Sequence, residues 1–331
     1  MAALRDVAKK AGVSASTVSR VINRPDTVPT TTKSRVLKAI KNLNYHPNKF
    51  AQRLRSHNVD RKLVGLLVPD IQNPFYVDVV KGVEDYCFER GYAVLMGNFM
   101  QDEKKGQMYL EVMQSEEIDG LIVAPIQEHH KTISQFKEKK IPIICIDRGL
   151  KNIDVDVVLV ENEEGAYQAV DHLVKQGHIR IAYVGGIPSI PTTLEREKGY
   201  SQALLDNGLN VDDELIKYGD STHLSGKELT EELLQLKDRP TALFTGNNLI
   251  TLGALETIHK HKLHIPGDIA IIGFDDMPWS ISLNPPLSAV SQPGYDIGKR
   301  ATELLFQRIS DPKRSPVKVV LKTKLILRES G

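Results

Sequence analysis

From Lys62 onward, short apolar runs alternate with amphipathic stretches, and this alternation limits the fold more than any other feature. The runs are "LVGLLV" (63–68), "YAVLMG" (92–97), "GLIVAPI" (120–126), "IPIICID" (141–147), "VDVVLV" (155–160), "RIAYVGG" (180–186), "TALFTG" (241–246) and "DIAIIGF" (268–274). Helical stretches fill the intervals at 76–90, 103–117, 163–176, 194–207, 223–236, 249–262 and 294–310. Strands without a polar face, separated by helices, belong to parallel sheets covered on both sides. About ten such strands are too many for one compact sheet of this kind. The expected fold is α/β with two doubly wound parallel-sheet subdomains, meeting near 160 and again near 290.

The first 60 residues carry no strand signal. Leu4, Val7, Ala8 and Ala11 fall at helical spacing, and Gly12 breaks the pattern. Ser14 suits an N-cap, and Val18, Val21 and Ile22 make the next apolar face. Val36, Leu37, Ile40 and Leu43 mark a third helix. Two short helices joined by a tight Gly turn predict a helix-turn-helix, here heading an all-helical N-terminal domain. Its second helix offers small side chains, Ala15, Ser16 and Thr17, at the N-terminal positions that enter a major groove. Ser19 and Arg20 lie one turn on, and Arg5, Lys9, Lys33, Arg35 and Lys38 suit phosphates.

Charge supports this reading. Residues 1–60 hold 12 Lys and Arg against 3 Asp and Glu, a net +9, while the remainder carries −8. A basic head on an acidic body points to a polyanion met by the head alone.

The stretch "YHPNKFAQRLRSHNVDR" (45–61) follows. Residues 48–56 read as two turns of helix with no apolar face, ordered only against a partner. Arg53 and Arg55 nominate DNA, and Leu54 between them suits a minor-groove wedge.

"LRDVAKKAGVSASTVSRVIN", "VLKAIKNLNYHPN" and "AQRLRS" resemble the head and hinge of the lactose-repressor (LacI) family. The resemblance continues through "VGLLVPDIQNPFY", "HLVKQGHIRIAYVGG", "PTALFTGNN" and "IPGDIAIIGFDD" and covers essentially the whole chain. It implies a helix-turn-helix domain over 1–46, a hinge helix and linker over 47–61, and an effector-binding and dimerisation domain over 62–331. That domain is similar to the type I periplasmic-binding-protein fold. Its first subdomain is expected at 62–160 plus 291–320 and its second at 161–290, with three crossovers between them. The resemblance also implies a homodimer on a pseudo-palindromic operator and Leu54 as the wedge. DNA contacts are expected from Arg5, Ser14, Ala15, Ser16, Thr17, Ser19, Arg20, Asn23, Ala51, Leu54 and Arg55.

Ligands in open α/β sheets sit beyond the carboxyl ends of strands. The residues there are Asn73, Phe75, Tyr76, Asp147, Arg148, Arg196, Asn247, Asp275 and Gln292, with Trp279 as a further stacking face. Aromatic faces stack on a sugar ring while carboxylates, amides and guanidiniums bond its hydroxyls. The set is similar to that of ribose-binding proteins of this fold. Each member has a plainer reading: Phe75 or Tyr76 as core, Asp147 with Arg148 as a surface ion pair, Asp275 with Asp276 as a turn. Many relatives carry Asp where this chain has Asn248, which makes the expected cleft less acidic. Ile190 and Thr192 stand in a stretch where the purine repressor uses an arginine, which weakens a purine reading. A neutral sugar or polyol and a sugar acid both remain open, as does a sugar phosphate.

Other motifs carry less. In "HKHKLH" (259–264), His259 and His261 point to different helix faces. "EHH" (128–130) lacks the second histidine of a zinc protease, and "VGGIP" (184–188) lacks dinucleotide spacing. No catalytic constellation, metal or cofactor is expected. Isolated Cys87 and Cys145, no secretory h-region and no long apolar run fit a cytoplasmic, non-membrane protein. No leucine-heptad segment is present, so a dimer is expected rather than a tetramer. The expected function is a ligand-responsive transcriptional regulator, a repressor. Its rivals are a regulator with a phosphoprotein coeffector, a solute-binding protein, or a sugar enzyme on the same scaffold.

Overall fold

The computed structural model describes residues 4–23, 25–43, 45, 62–125, 131–150 and 153–331. The chain divides into two compact units at Asp60 and Arg61.

The first unit contains helices α1 (Leu4–Ala11), α2 (Ala15–Asn23) and α3 (Thr30–Asn42). Gly12 ends α1 in the left-handed region at φ 62°, where a side chain would be strained. There the Val13 N–H reaches the Ala8 carbonyl at 3.0 Å and the Gly12 N–H reaches that of Lys9. Ser14 Oγ then accepts the Thr17 N–H at 3.1 Å and starts α2. Val7, Val18 and Val36 are fully buried and form the centre of a small core with Ala8, Val21 and Ala39. Leu37 differs from expectation: it is exposed, because Val36 and Ala39 already occupy the inward stripe of α3.

The second unit holds two six-stranded sheets. The first is built from β1 (Leu63–Val68), β2 (Ala93–Asn98), β3 (Gly120–Val123), β4 (Ile143–Ile146), β5 (Asp156–Val160) and β11 (Lys318–Leu321). The second is built from β6 (Ile181–Gly185), β7 (Ile216–Tyr218), β8 (Ala242–Thr245), β9 (Ala270–Phe274), β10 (Ser288–Ser291) and β12 (Lys324–Ile326). Their orders correspond, β2-β1-β3-β4-β5-β11 and β7-β6-β8-β9-β10-β12. The described pairings are parallel except β10 with β12.

Helices α4 (Pro74–Glu89), α5 (Glu103–Ser115), α6 (Lys131–Glu138) and α11 (Gly294–Ser310) belong with the first sheet. Helices α7 (Asn162–Lys175), α8 (Pro191–Asp206), α9 (His223–Leu234) and α10 (Asn248–Lys260) belong with the second. Each sheet is buried on both faces, which is why its strands are apolar throughout. The chain crosses between subdomains after β5, after β10 and between β11 and β12. The last crossing carries the C-terminal residues back to the second subdomain, where Ser330 bonds Ile271 and Ser288 and Arg328 pairs with Asp276. Among the described residues no helix is long and apolar enough to cross a membrane.

Candidate functional site

Two places carry the residues singled out above. In the first unit, Arg5, Ser16 and Arg20 are exposed and Thr17 and Ser19 half-exposed. Ser14 Oγ lies 2.7 Å from Ser16 Oγ and 2.8 Å from Thr17 Oγ1, so three hydroxyls cluster at the start of α2. Ala15 is less open than expected: it packs partly on the core formed by Val18 and Val21. The Asn23 side chain and Ala51, Leu54 and Arg55 lie outside the described residues.

In the second unit a cavity of about 220 Å³ opens between the two subdomains at the carboxyl ends of both sheets. Asn73, Phe75, Tyr76, Asp147, Arg148, Arg196, Asn247, Asp275 and Gln292 all line it. Asn73 precedes Pro74 and caps α4, accepting the Phe75 N–H at 2.9 Å. Phe75 and Tyr76 meet edge to face at 4.9 Å. Both are core and lining at once, so neither plain reading holds alone. The Tyr76 hydroxyl donates to Asp147 Oδ2 at 3.1 Å. Burial and the Asp147 charge push the phenol's pKa well above its ordinary value.

Asp147 and Arg148 are 8% and 5% exposed, so theirs is no surface pair. Arg148 donates through Nε to the Pro125 carbonyl at 2.5 Å and through Nη2 to Gln101 at 3.4 Å. Arg196 comes from α8, which packs closely on α7: a Cβ on Gly199 would lie 2.1 Å from the Glu163 carbonyl. Arg196 donates to Asn162 Oδ1 at 2.9 Å and to the Gly246 carbonyl at 2.5 Å, and lies 3.7 Å from the Phe274 ring centroid. Asn247 caps α10 through the Ile250 N–H and donates to the Ser221 carbonyl at 3.1 Å.

Asp275 is almost fully buried and accepts from Gln292 Nε2 at 2.5 Å. Burial raises its pKa, against the opposing pull of Arg196, Gln292 and the Asn248 N–H. Asp147 and Asp275 follow β4 and β9, corresponding strands of the two sheets, and both sit in the left-handed region at φ 65° and 78°. Aspartate tolerates this region better than most residues, so both turns are made sharply without glycine.

Two expectations need correction. Trp279 does not line the cavity. It packs against the apolar cluster of Met277 and Leu287, where its large ring finds dry partners. Asn248 is fully buried and does not line the cavity either, so its lack of charge does not act there directly. Sequence reasoning also missed Asp70, Met100, Gln101, Asp220, Ser221 and Thr222. The last three follow β7, whose three residues "IKY" are too few and too polar to read as a strand.

Residues 61–329 match the family model described as periplasmic binding proteins and sugar binding domain of LacI family, and residues 3–48 match that of bacterial regulatory proteins, lacI family. The chain belongs to the LacI family. Among its LacI-family relatives, the HTH-type transcriptional repressor PurR of Aliivibrio salmonicida (strain LFI1238) is 36% identical over 312 residues, 94% of this chain and 93% of that protein. The ribose operon repressor of Escherichia coli (strain K12) is 34% identical over 333 residues, 100% of both. The solved complex of the transcriptional regulator CelR with cellobiose superposes with a TM-score of 0.76 at 31% identity, covering 100% of each chain. This LacI-family chain is thus a DNA-binding transcriptional regulator with a helix-turn-helix head and a small-molecule-binding body.

Proposed function

We propose that the chain is a cytoplasmic repressor that binds a pseudo-palindromic operator as a homodimer and answers to a neutral sugar or polyol held in the cleft. The balance of charge in the cavity carries the ligand assignment. Among the described residues, Asp70, Asp147, Asp220 and Asp275 line it against Arg148 and Arg196 alone. A carboxylate or phosphate would enter a net-acidic site, whereas hydroxyls find acceptors and donors in turn. The volume lies below the usual range for larger ligands, roughly 300–1,000 Å³, which favours a single ring. Ile190 and Thr192 add no cation where a purine reading needs one. The chain binds its ligand without turning it over.

Homodimerisation is supported by a stripe on α4. Val77, Lys81, Glu84 and Phe88 follow helical spacing and all are exposed, Phe88 by 76%. Exposed Met96 lies on edge strand β2 of the same subdomain. In the second subdomain, Leu224 and Ile281 are exposed apolar side chains. A dimer would protect two operator half-sites about one helical turn apart. Leu54→Ala is expected to weaken operator binding at least tenfold while leaving ligand affinity unchanged, because a wedge acts only on DNA. Gel-shift titration measures this, and equal affinities for variant and wild type defeat the wedge.

Ligand class is tested by thermal shift of the purified protein against pentoses, hexoses, sugar acids, sugar phosphates and nucleobases. A neutral sugar at about 100 times its dissociation constant should stabilise by roughly 2.7 kcal/mol. A response to acids alone reverses the charge argument. No response at all brings a protein coeffector forward.

A further inference from the structure

Asn73 and Asn248 are 175 positions apart and belong to different subdomains, yet Asn248 Nδ2 donates to Asn73 Oδ1 at 2.8 Å. Both side chains are buried. Asn73 caps α4 and Asn248 is the first residue of α10, so the bond ties together two helix N-termini on either side of the cleft. The amide orientations are fixed by the network. Asn73 Oδ1 also accepts the Phe75 N–H, so its oxygen must face inward and Asn248 must present its nitrogen. Asn248 Oδ1 is then left buried with no partner. An orphaned acceptor is a cost that the direct contact must offset.

We infer that Asn248 is a positioning residue for effector binding, which holds the cleft closed before any ligand arrives. The inference rests on the reading of the cleft as the effector site. Asn73 lines the cavity and Asn248 does not, so the Asn248 side chain acts on the ligand through Asn73 and the closure it maintains, while its backbone N–H, which every substitution keeps, supports Asp275. An amide is required at 248. A carboxylate there would face the Asn73 oxygen with no proton between them. Asn73 cannot turn its amide round without setting its NH2 against the Phe75 N–H. A protein whose competent state is already populated binds more tightly than one that must first close, because apparent affinity scales with the competent fraction.

The test uses the full chain with spin labels on Glu103→Cys and Ser189→Cys. These are exposed positions flanking cavity-lining residues of the two subdomains, and Cys87 and Cys145 are buried. Dipolar distances are measured without ligand. Wild type is expected to give one short distance. Asn248→Asp is expected to give a longer, broader distribution, and to bind the probe D-ribose about tenfold more weakly. The variant should fold, since an acid in the first turn of α10 is favoured by the helix dipole. Asn248→Ser, too short to reach Asn73, should open the cleft in the same way. Asn73→Asp keeps both the Phe75 cap and an acceptor for Asn248, and should stay closed. A purely structural role would make all three variants alike. Equal distances for wild type and Asn248→Asp, or a wild type already open, overturn the inference. Failure of D-ribose and of every other neutral sugar in the thermal-shift panel to bind wild type counts against the effector reading instead, because the distances decide the latch without ligand.

Discussion

Replacing Arg196 by lysine is expected to abolish the ligand response while leaving the body folded. Two N–H groups of the guanidinium are engaged by Asn162 and the Gly246 carbonyl, and the plane lies over Phe274. The side chain is therefore rigid, and the rest of its fork is left for the cavity. Lysine keeps the charge near Asp275 but loses the planar fork. Two charge-assisted hydrogen bonds to ligand hydroxyls are worth roughly 1.5–3 kcal/mol each, so affinity should fall about 100-fold or more. Calorimetric titration with the monosaccharide that stabilises wild type measures this. A loss of less than tenfold would place Arg196 outside the ligand contacts.

Arg196→Met carries the same loss of affinity and a further signature. Burial holds the Asp275 carboxyl above its ordinary pKa, and Arg196 opposes that shift. Without the guanidinium the folded-state value rises further. A carboxyl whose folded pKa exceeds its unfolded value binds more protons when folded. Stability is then gained as pH falls through the raised value toward the ordinary range near ~4. The deficit of Arg196→Met relative to wild type should therefore narrow between pH 7 and pH 5 in denaturant melts. A deficit independent of pH would mean that Asp275 is not the group left uncompensated.

The strand runs and the long helices were legible because each repeats one physical requirement many times. β1, β3 and β4 are buried on both faces and so lack polar residues. The strands that escaped are short and half-polar. "SAVS" of β10, "KVVL" of β11 and "KLI" of β12 lie where the chain changes subdomain, and their pairing is set by distant partners. The same reason hid Asp220, Ser221 and Thr222, since β7 is a strand only because β6 lies beside it. Trp279 misled because its spacing from Asp275 suggests a cleft, while the burial of Met277 decides where the chain goes. The exchange of Asp for Asn at 248 was visible, but its partner Asn73 was not, because no local rule joins residues 175 positions apart.

Asp156 is expected to give the largest loss of stability in the body, and its surroundings explain why asparagine should serve no better there than alanine. The side chain is fully buried at the start of β5. Its Oδ2 accepts from Arg308 Nε and Nη2 at 3.0 and 2.9 Å and pairs with Arg314 Nη2 at 2.8 Å, while Oδ1 accepts the Val317 N–H at 2.9 Å. One carboxylate thus gathers α11 and the approach to β11 onto the strand that makes the first crossing. Removing one member of a buried ion pair costs about 3–5 kcal/mol, because the remaining charge is stranded. An asparagine at this position would keep the Val317 bond only by turning an NH2 group toward two guanidiniums, so Asp156→Asn should lose as much as Asp156→Ala. At roughly 2–4 °C per kcal/mol for a domain of this size, Tm should drop by about 10 °C. If the two arginines were merely screened by water, Asp156→Asn would retain most of the stability and only Asp156→Ala would melt early. The approach to β11 leads into the third crossing, so the same variants should also loosen the relation between subdomains. At temperatures well below their Tm, both are expected to bind ligand more weakly than wild type even though Asp156 lies outside the cavity lining.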